Sequence, residues 1–186
     1  MIQVKSTAEA PMLKEAVLFP FDIFSFPFSS RLRIQLVPGK TPNITNPIVL
    51  RRGPKGSPDY YNVRFYGTVI NVDGQLKMWY LGSGGPSSED ILRVCYATSI
   101  DGLNWEKPEL GLVEYKGSTS NNLVSLMDGR HAVTEAPVIY DPDEVDPARR
   151  FKMNFEGSPY GARFAGAYSS DGIVWTESAN NPLGPS

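Results

Sequence analysis

The chain spells one short phrase twice, Ser99-Ile100-Asp101-Gly102-Leu103-Asn104-Trp105 and Ser169-Ser170-Asp171-Gly172-Ile173-Val174-Trp175. Both read S-x-D-G-x-x-W, and their aspartates stand 70 positions apart. A signature held at fixed offsets and repeated at such a spacing marks two copies of one structural unit. Its chemistry is that of a tight turn. The aspartate accepts hydrogen bonds from turn amides, the glycine takes a positive φ, and the tryptophan covers the hairpin against a neighbouring sheet. Asp101 and Asp171 are therefore read as turn residues.

The text around each phrase repeats too. Gly67-Thr68-Val69-Ile70-Asn71 matches Ala136-Pro137-Val138-Ile139-Tyr140, and Leu76-Lys77-Met78-Trp79-Tyr80 matches Phe151-Lys152-Met153-Asn154-Phe155. Val94-Cys95-Tyr96-Ala97 matches Ala165-Gly166-Ala167-Tyr168-Ser169 in position and character. The first unit reads as four strands, Val63–Asn71, Leu76–Leu81, Ile91–Ser99 and Leu103–Glu106, joined at Asp73-Gly74, Gly82–Pro86 and Asp101-Gly102. Asp-Gly is the pair that best suits a type I′ hairpin. Repeated four-stranded meanders whose length changes fall in the turns predict an all-β chain, a β-propeller of antiparallel blades. About two blades are present, 59–117 and 118–178, after an N-terminal segment over 1–58 and before a lead-out over 179–186. A third echo, Asn46-Pro47-Ile48-Val49, Asn121-Asn122-Leu123-Val124 and Asn180-Asn181-Pro182-Leu183, is read as marking unit boundaries. A closed propeller takes about four to eight blades. The expectation is thus a fragment, inactive by itself and prone to self-association through open blade edges.

Composition narrows the partners. With 18 basic against 20 acidic residues in 186 and no basic run beyond two arginine pairs, a nucleic-acid surface is not expected. The apolar stretch Val17–Phe28 is broken by Pro20, Asp22 and Pro27, which suits neither a spanning helix nor a signal peptide. No membrane association and a cytoplasmic location follow as expectations. Cys95 is the one cysteine, in an apolar run, and reads as a buried small hydrophobe. Neither metal nor cofactor is expected, and the Gly82–Gly85 loop lacks the lysine and helix of a phosphate cradle.

Lys77-Met78-Trp79-Tyr80, the run Tyr96–Pro108 and the run Asp141–Met153 resemble the five-bladed propeller superfamily of glycoside hydrolases that includes families 32, 43, 68 and 130. The resemblance covers roughly residues 60 to 183 and is nearest to bacterial proteins with a family 32-type N-terminal domain. The twin phrase is also similar to the sialidase Asp-box, but is one residue shorter between Asp and Trp. The resemblance implies a carbohydrate-active enzyme whose carboxylates, at the starts of innermost strands, cleave a glycosidic bond by hydrolysis or phosphorolysis. Glu135, in Thr134-Glu135-Ala136-Pro137, is similar to the Glu-Cys-Pro and Glu-Gly-Pro acid/base motifs of families 32 and 43. The Trp-Met-Asn-Asp-Pro-Asn and Arg-Asp-Pro motifs of family 32 are absent, so fructan cleavage is not implied. Asp22 and Asp59 are the early carboxylates available as a second catalytic group. Asn62, Arg64 and Tyr66, the last aligned with Glu135, offer sugar contacts, since aromatic faces and fork-shaped donors suit hydroxyl-rich ligands. His131, the single histidine, stands four residues before Glu135 and is a further rim candidate. The alternative function is a carbohydrate-binding or scaffolding propeller without catalysis.

Overall fold

Period-2 alternation decides how this chain packs. A computed structural model describes residues 48–88, 90–161 and 163–183, all within one compact unit, Asn46–Ser186. Strands β1 (Asn62–Val72), β2 (Gln75–Ser83) and β3 (Arg93–Ser99) form one antiparallel sheet in that order. Strands β4 (Val133–Glu135), β5 (Val138–Tyr140), β6 (Phe151–Gly157), β7 (Phe164–Ser169) and β8 (Thr176–Glu177) form the second, with β4 and β5 sharing the inner edge of β6. Short 3-10 turns are the only helical pieces among the described residues. The all-β expectation holds.

Residues opposite one another in an antiparallel ladder share a face. In the first sheet Trp79 pairs with Tyr96 and Leu81 with Val94, while Met78 pairs with Ala97 and Tyr80 with Cys95. The first set packs on Val138, Phe151, Met153, Phe155 and Trp175 of the second sheet. The other set builds a separate core on the far side, with Val113, Tyr115 and Leu123. Trp79 is a central residue of that inter-sheet core. Fully buried, its ring lies 5.5 Å from Tyr96 and 5.9 Å from Phe151, and its Nε1–H donates to the Gly172 carbonyl at 2.7 Å. Burying a ring of that size stabilises by about 4–6 kcal/mol, at roughly 25 cal/mol per Å² over 150–250 Å².

Both turn phrases fold alike. The Asp101 carboxylate accepts from the Leu103 and Asn104 amides at 2.8 and 2.7 Å, and that of Asp171 from Ile173 and Val174 at 2.7 and 2.9 Å. The Ser99 and Ser169 hydroxyls each donate to their aspartate and accept from the following glycine amide at 2.9 Å. Gly102 and Gly172 sit at φ 72° and 80°, as the positive-φ reading requires. Trp105 and Trp175 each donate an indole N–H to the carbonyl of their own glycine at 3.0 Å.

The outer strand of the first unit differs from expectation. Leu103–Asn104 belongs to the turn, and only Glu106 pairs with β3, through Thr98. Lys107 then turns inward to Asp59, and Pro108 has no amide to extend a ladder. The rest of that edge is covered by Asn122–Val124: Tyr96 donates to the Asn122 carbonyl at 2.9 Å and Val124 to the Val94 carbonyl at 3.1 Å. In the second sheet Asn181 bonds the Gly166 backbone in both directions and Leu183 donates to Phe164. The echoes at Asn121–Val124 and Asn180–Leu183 thus serve as clasps on the outer edge of each sheet, while Asn46-Pro47 lies outside the described residues.

Candidate functional site

Both innermost strands break at the same place in the repeat. The β1–β2 register shifts between Arg64 and Thr68, and the second unit breaks between β4 and β5 at Ala136-Pro137. Pro137 lacks the amide that a continuous strand needs there. Gly67 answers a different demand: a Cβ on it would stand 2.1 Å from the Trp79 carbonyl oxygen, so only glycine lets the bulge close onto β2. The two breaks meet. The Ala136 amide donates to the Tyr66 carbonyl at 2.9 Å, and the Val138 amide donates to Thr68 Oγ1 at 2.9 Å.

This junction places Glu135 and Tyr66 at adjoining backbone positions, both side chains exposed. Arg64 is exposed two residues earlier, paired in register with Leu81 and so on the face turned toward the second sheet. Asn62 begins β1 opposite Ser83 and is half-buried. His131, exposed before β4, has its Nδ1 3.5 Å from Ser158 Oγ. Glu135, Tyr66 and Arg64 thus gather along the inner strands, with His131 at the entrance to β4.

Asp59 lies elsewhere. It is 1% exposed and accepts from the Tyr80 hydroxyl at 2.7 Å and the Ser57 hydroxyl at 3.0 Å, besides an ion pair with Lys107. Asn122 donates to the Tyr80 oxygen at 2.7 Å, so the cluster is closed by its own partners. Burial first, then the nearby Cys95 and Asp59, pushes the Tyr80 phenol well above its usual range, and burial likewise pushes up the Cys95 thiol. The geometry gives Asp59 the task of holding Lys107 and Tyr80 rather than meeting a substrate. Asp22 lies outside the described residues.

Glu156 adds a further carboxylate. It is the register partner of Glu135 across β4 and β6, which puts two carboxyl-bearing side chains on one face with Cα atoms roughly 4.5–5.5 Å apart. The repeat held the signal, because Glu156 stands where the first unit has the buried Leu81. Among the described residues no three His, Cys, Asp or Glu converge as a metal site would require, and no helix is long and apolar enough to cross a membrane.

No protein-family profile matches the chain, and no curated protein matches it by sequence. Solved structures do. A candidate glycoside hydrolase from Bacteroides ovatus superposes with a TM-score of 0.52 at 20% identity over 77% of this chain and 41% of its own. A structure from the GH130 family of mannoside phosphorylases, a family said to contain glycoside hydrolases acting on β-1,2-mannosidic linkages in Candida mannan, superposes with a TM-score of 0.51 at 17% identity. That likeness covers 78% of this chain and 44% of the other. The fold is that of these β-propeller structures, and this chain spans less than half the length of either.

Proposed function

We propose that the chain is part of a carbohydrate-active propeller that cleaves glycosidic bonds, by hydrolysis or phosphorolysis, with Glu135 as its acid/base residue. The observation that carries this reading is the meeting of the two inner-strand breaks, which sets an exposed Glu135 beside Tyr66. A proton donor to a leaving oxygen has to reach the bond without hindrance, and an aromatic ring beside it suits the apolar face of a sugar. Tyr66, Arg64, Asn62 and His131 are assigned to substrate contact. Glycoside cleavage usually takes a second carboxyl. Glu156 shares the face of Glu135, and Asp22 is the other candidate.

Glu135→Gln in the full-length protein tests the assignment. Turnover of β-1,2-mannobiose and of aryl glycosides, assayed with and without inorganic phosphate, is expected to fall about 10²–10⁴-fold. Unchanged turnover removes Glu135 from the mechanism. The burial of Asp59 favours a second reading, a binding or scaffolding propeller without catalysis. Oligosaccharide binding by calorimetry with no cleavage of any tested glycoside selects it.

A further inference from the structure

Three successive residues before β4 take left-handed backbone angles: Met127, Asp128 and Gly129, at φ 49°, 51° and 64°. Glycine adopts that region freely, but the side chains of Met127 and Asp128 crowd their own backbone there, so the turn has to be held in place. Inside the turn the Gly129 amide donates to the Leu126 carbonyl at 2.9 Å and the Arg130 amide to that of Met127 at 3.1 Å. Arg93 holds it from outside. Its Nε–H donates to the Gly129 carbonyl at 2.7 Å, its Nη1 to the Ile91 carbonyl at 3.1 Å, and its guanidinium lies over the Tyr115 ring at 5.2 Å.

The chain is pinned again just beyond. The Val133 amide donates to the Leu92 carbonyl and the Ser158 amide to the Ala132 carbonyl, both at 3.0 Å. His131 stands between these pins and the one at Gly129, with its Nδ1 3.5 Å from Ser158 Oγ. The first unit solves the same problem differently. At the offset that aligns Tyr66 with Glu135, Asp128 stands where the first unit has Asp59. There the buried carboxylate itself fixes the approach to the inner strand, through Tyr80, Ser57 and Lys107. Asp128 is exposed, and the second unit fixes its approach through the next carbonyl instead.

We propose that Arg93 is a positioning residue for the substrate rim: by holding the Gly129 carbonyl it keeps the Met127–Gly129 turn left-handed and sets His131 for contact with the sugar. This rests on the assignment of His131 to substrate contact. A lysine does not replace it, since one ammonium on a flexible stem cannot serve two carbonyls and lie on a ring as a planar fork does.

The test follows the His131 ring signal by NMR in the full-length protein, assigned by its disappearance in His131→Gln. Arg93→Lys keeps the charge and is still expected to move that signal. It is also expected to raise KM about tenfold, with kcat changed less than about twofold, for β-1,2-mannobiose or a cleaved aryl glycoside. Asp128→Gly supplies a residue that takes the left-handed angle without strain, so adding it to Arg93→Lys is expected to return the signal and most of KM. An unmoved signal in Arg93→Lys, an unchanged KM beside a moved signal, or no recovery in the double variant overturns the proposal. Failure of the catalytic reading shows elsewhere: full turnover in Glu135→Gln removes Glu135 from the mechanism, while the His131 signal still reports the turn.

Discussion

The two S-x-D-G-x-x-W hairpins share their hydrogen bonds and differ in their surroundings. The second is closed over by the first sheet, so Trp175 is 6% exposed and its glycine carbonyl serves two indoles. Over the first no such sheet lies among the described residues, so Trp105 is only half-buried and its glycine carbonyl serves one indole there. Local sequence sets the turn; a neighbouring sheet sets how much that turn is worth. The same difference separates the two broad faces of the molecule. Trp79 and Tyr96 make the first sheet's inward face an apolar wedge, and their replacement by Asn154 and Gly166 leaves the second sheet's outward face grooved.

Substitutions can break this comparison, and the largest effect is expected at the wedge. Trp79→Ala should cost about 3–5 kcal/mol in urea unfolding, because it empties the inter-sheet core and removes a donor to Gly172. A cost below about 1 kcal/mol would mean the two sheets are held together elsewhere. Trp175→Ala should also cost about 3–5 kcal/mol, against about 1–2 kcal/mol for Trp105→Ala, whose ring is partly hydrated already. Equal costs would contradict the asymmetry. Lys107→Met leaves the buried Asp59 carboxylate without its cation and should destabilise by about 3 kcal/mol, with Asp59→Asn in the same background recovering part of the loss.

The smallest effect concerns acid. Backbone amides, Asn104 foremost, hold the Asp101 carboxyl below its ordinary range. At Asp171 burial opposes the same shift but is outweighed by the Ile173 and Val174 amides and the Ser169 hydroxyl. Folded carboxyls with lowered pKa stabilise fully above the unfolded value of about 3.9 and lose that contribution as pH falls through the folded value. Stability should therefore drop below about pH 4, and the double variant Asp101→Asn, Asp171→Asn should flatten that drop in acid-titrated denaturation.

Much of the fold was legible because repetition gives the same evidence twice. The Asp-Gly turns, the apolar alternation of β2 and β6, and the structural role of the twin aspartates all follow from local residue chemistry. What escaped was non-local. Leu103–Glu106 reads as a strand, yet the turn consumes most of it and Lys107 is drawn inward to Asp59. Asp59, an early carboxylate available for catalysis on the sequence, is buried where Tyr80 and Lys107 reach it from distant positions. The repeat marks Glu156 as a carboxylate in place of the buried Leu81, but that it pairs with Glu135 depends on the register shift within β4.

By itself the sequence determined the unit: two repeated antiparallel meanders, their Asp-Gly hairpins, and the inner-strand position of Glu135. These rest on residues close in the chain, where turn geometry and side-chain alternation leave few alternatives. Only the tertiary structure decided which face of each sheet is covered, which of two identical hairpins is buried, and which carboxylates stand exposed. Those outcomes depend on sheets meeting across tens of residues, as where Trp79 of the first sheet packs against Gly172 of the second unit.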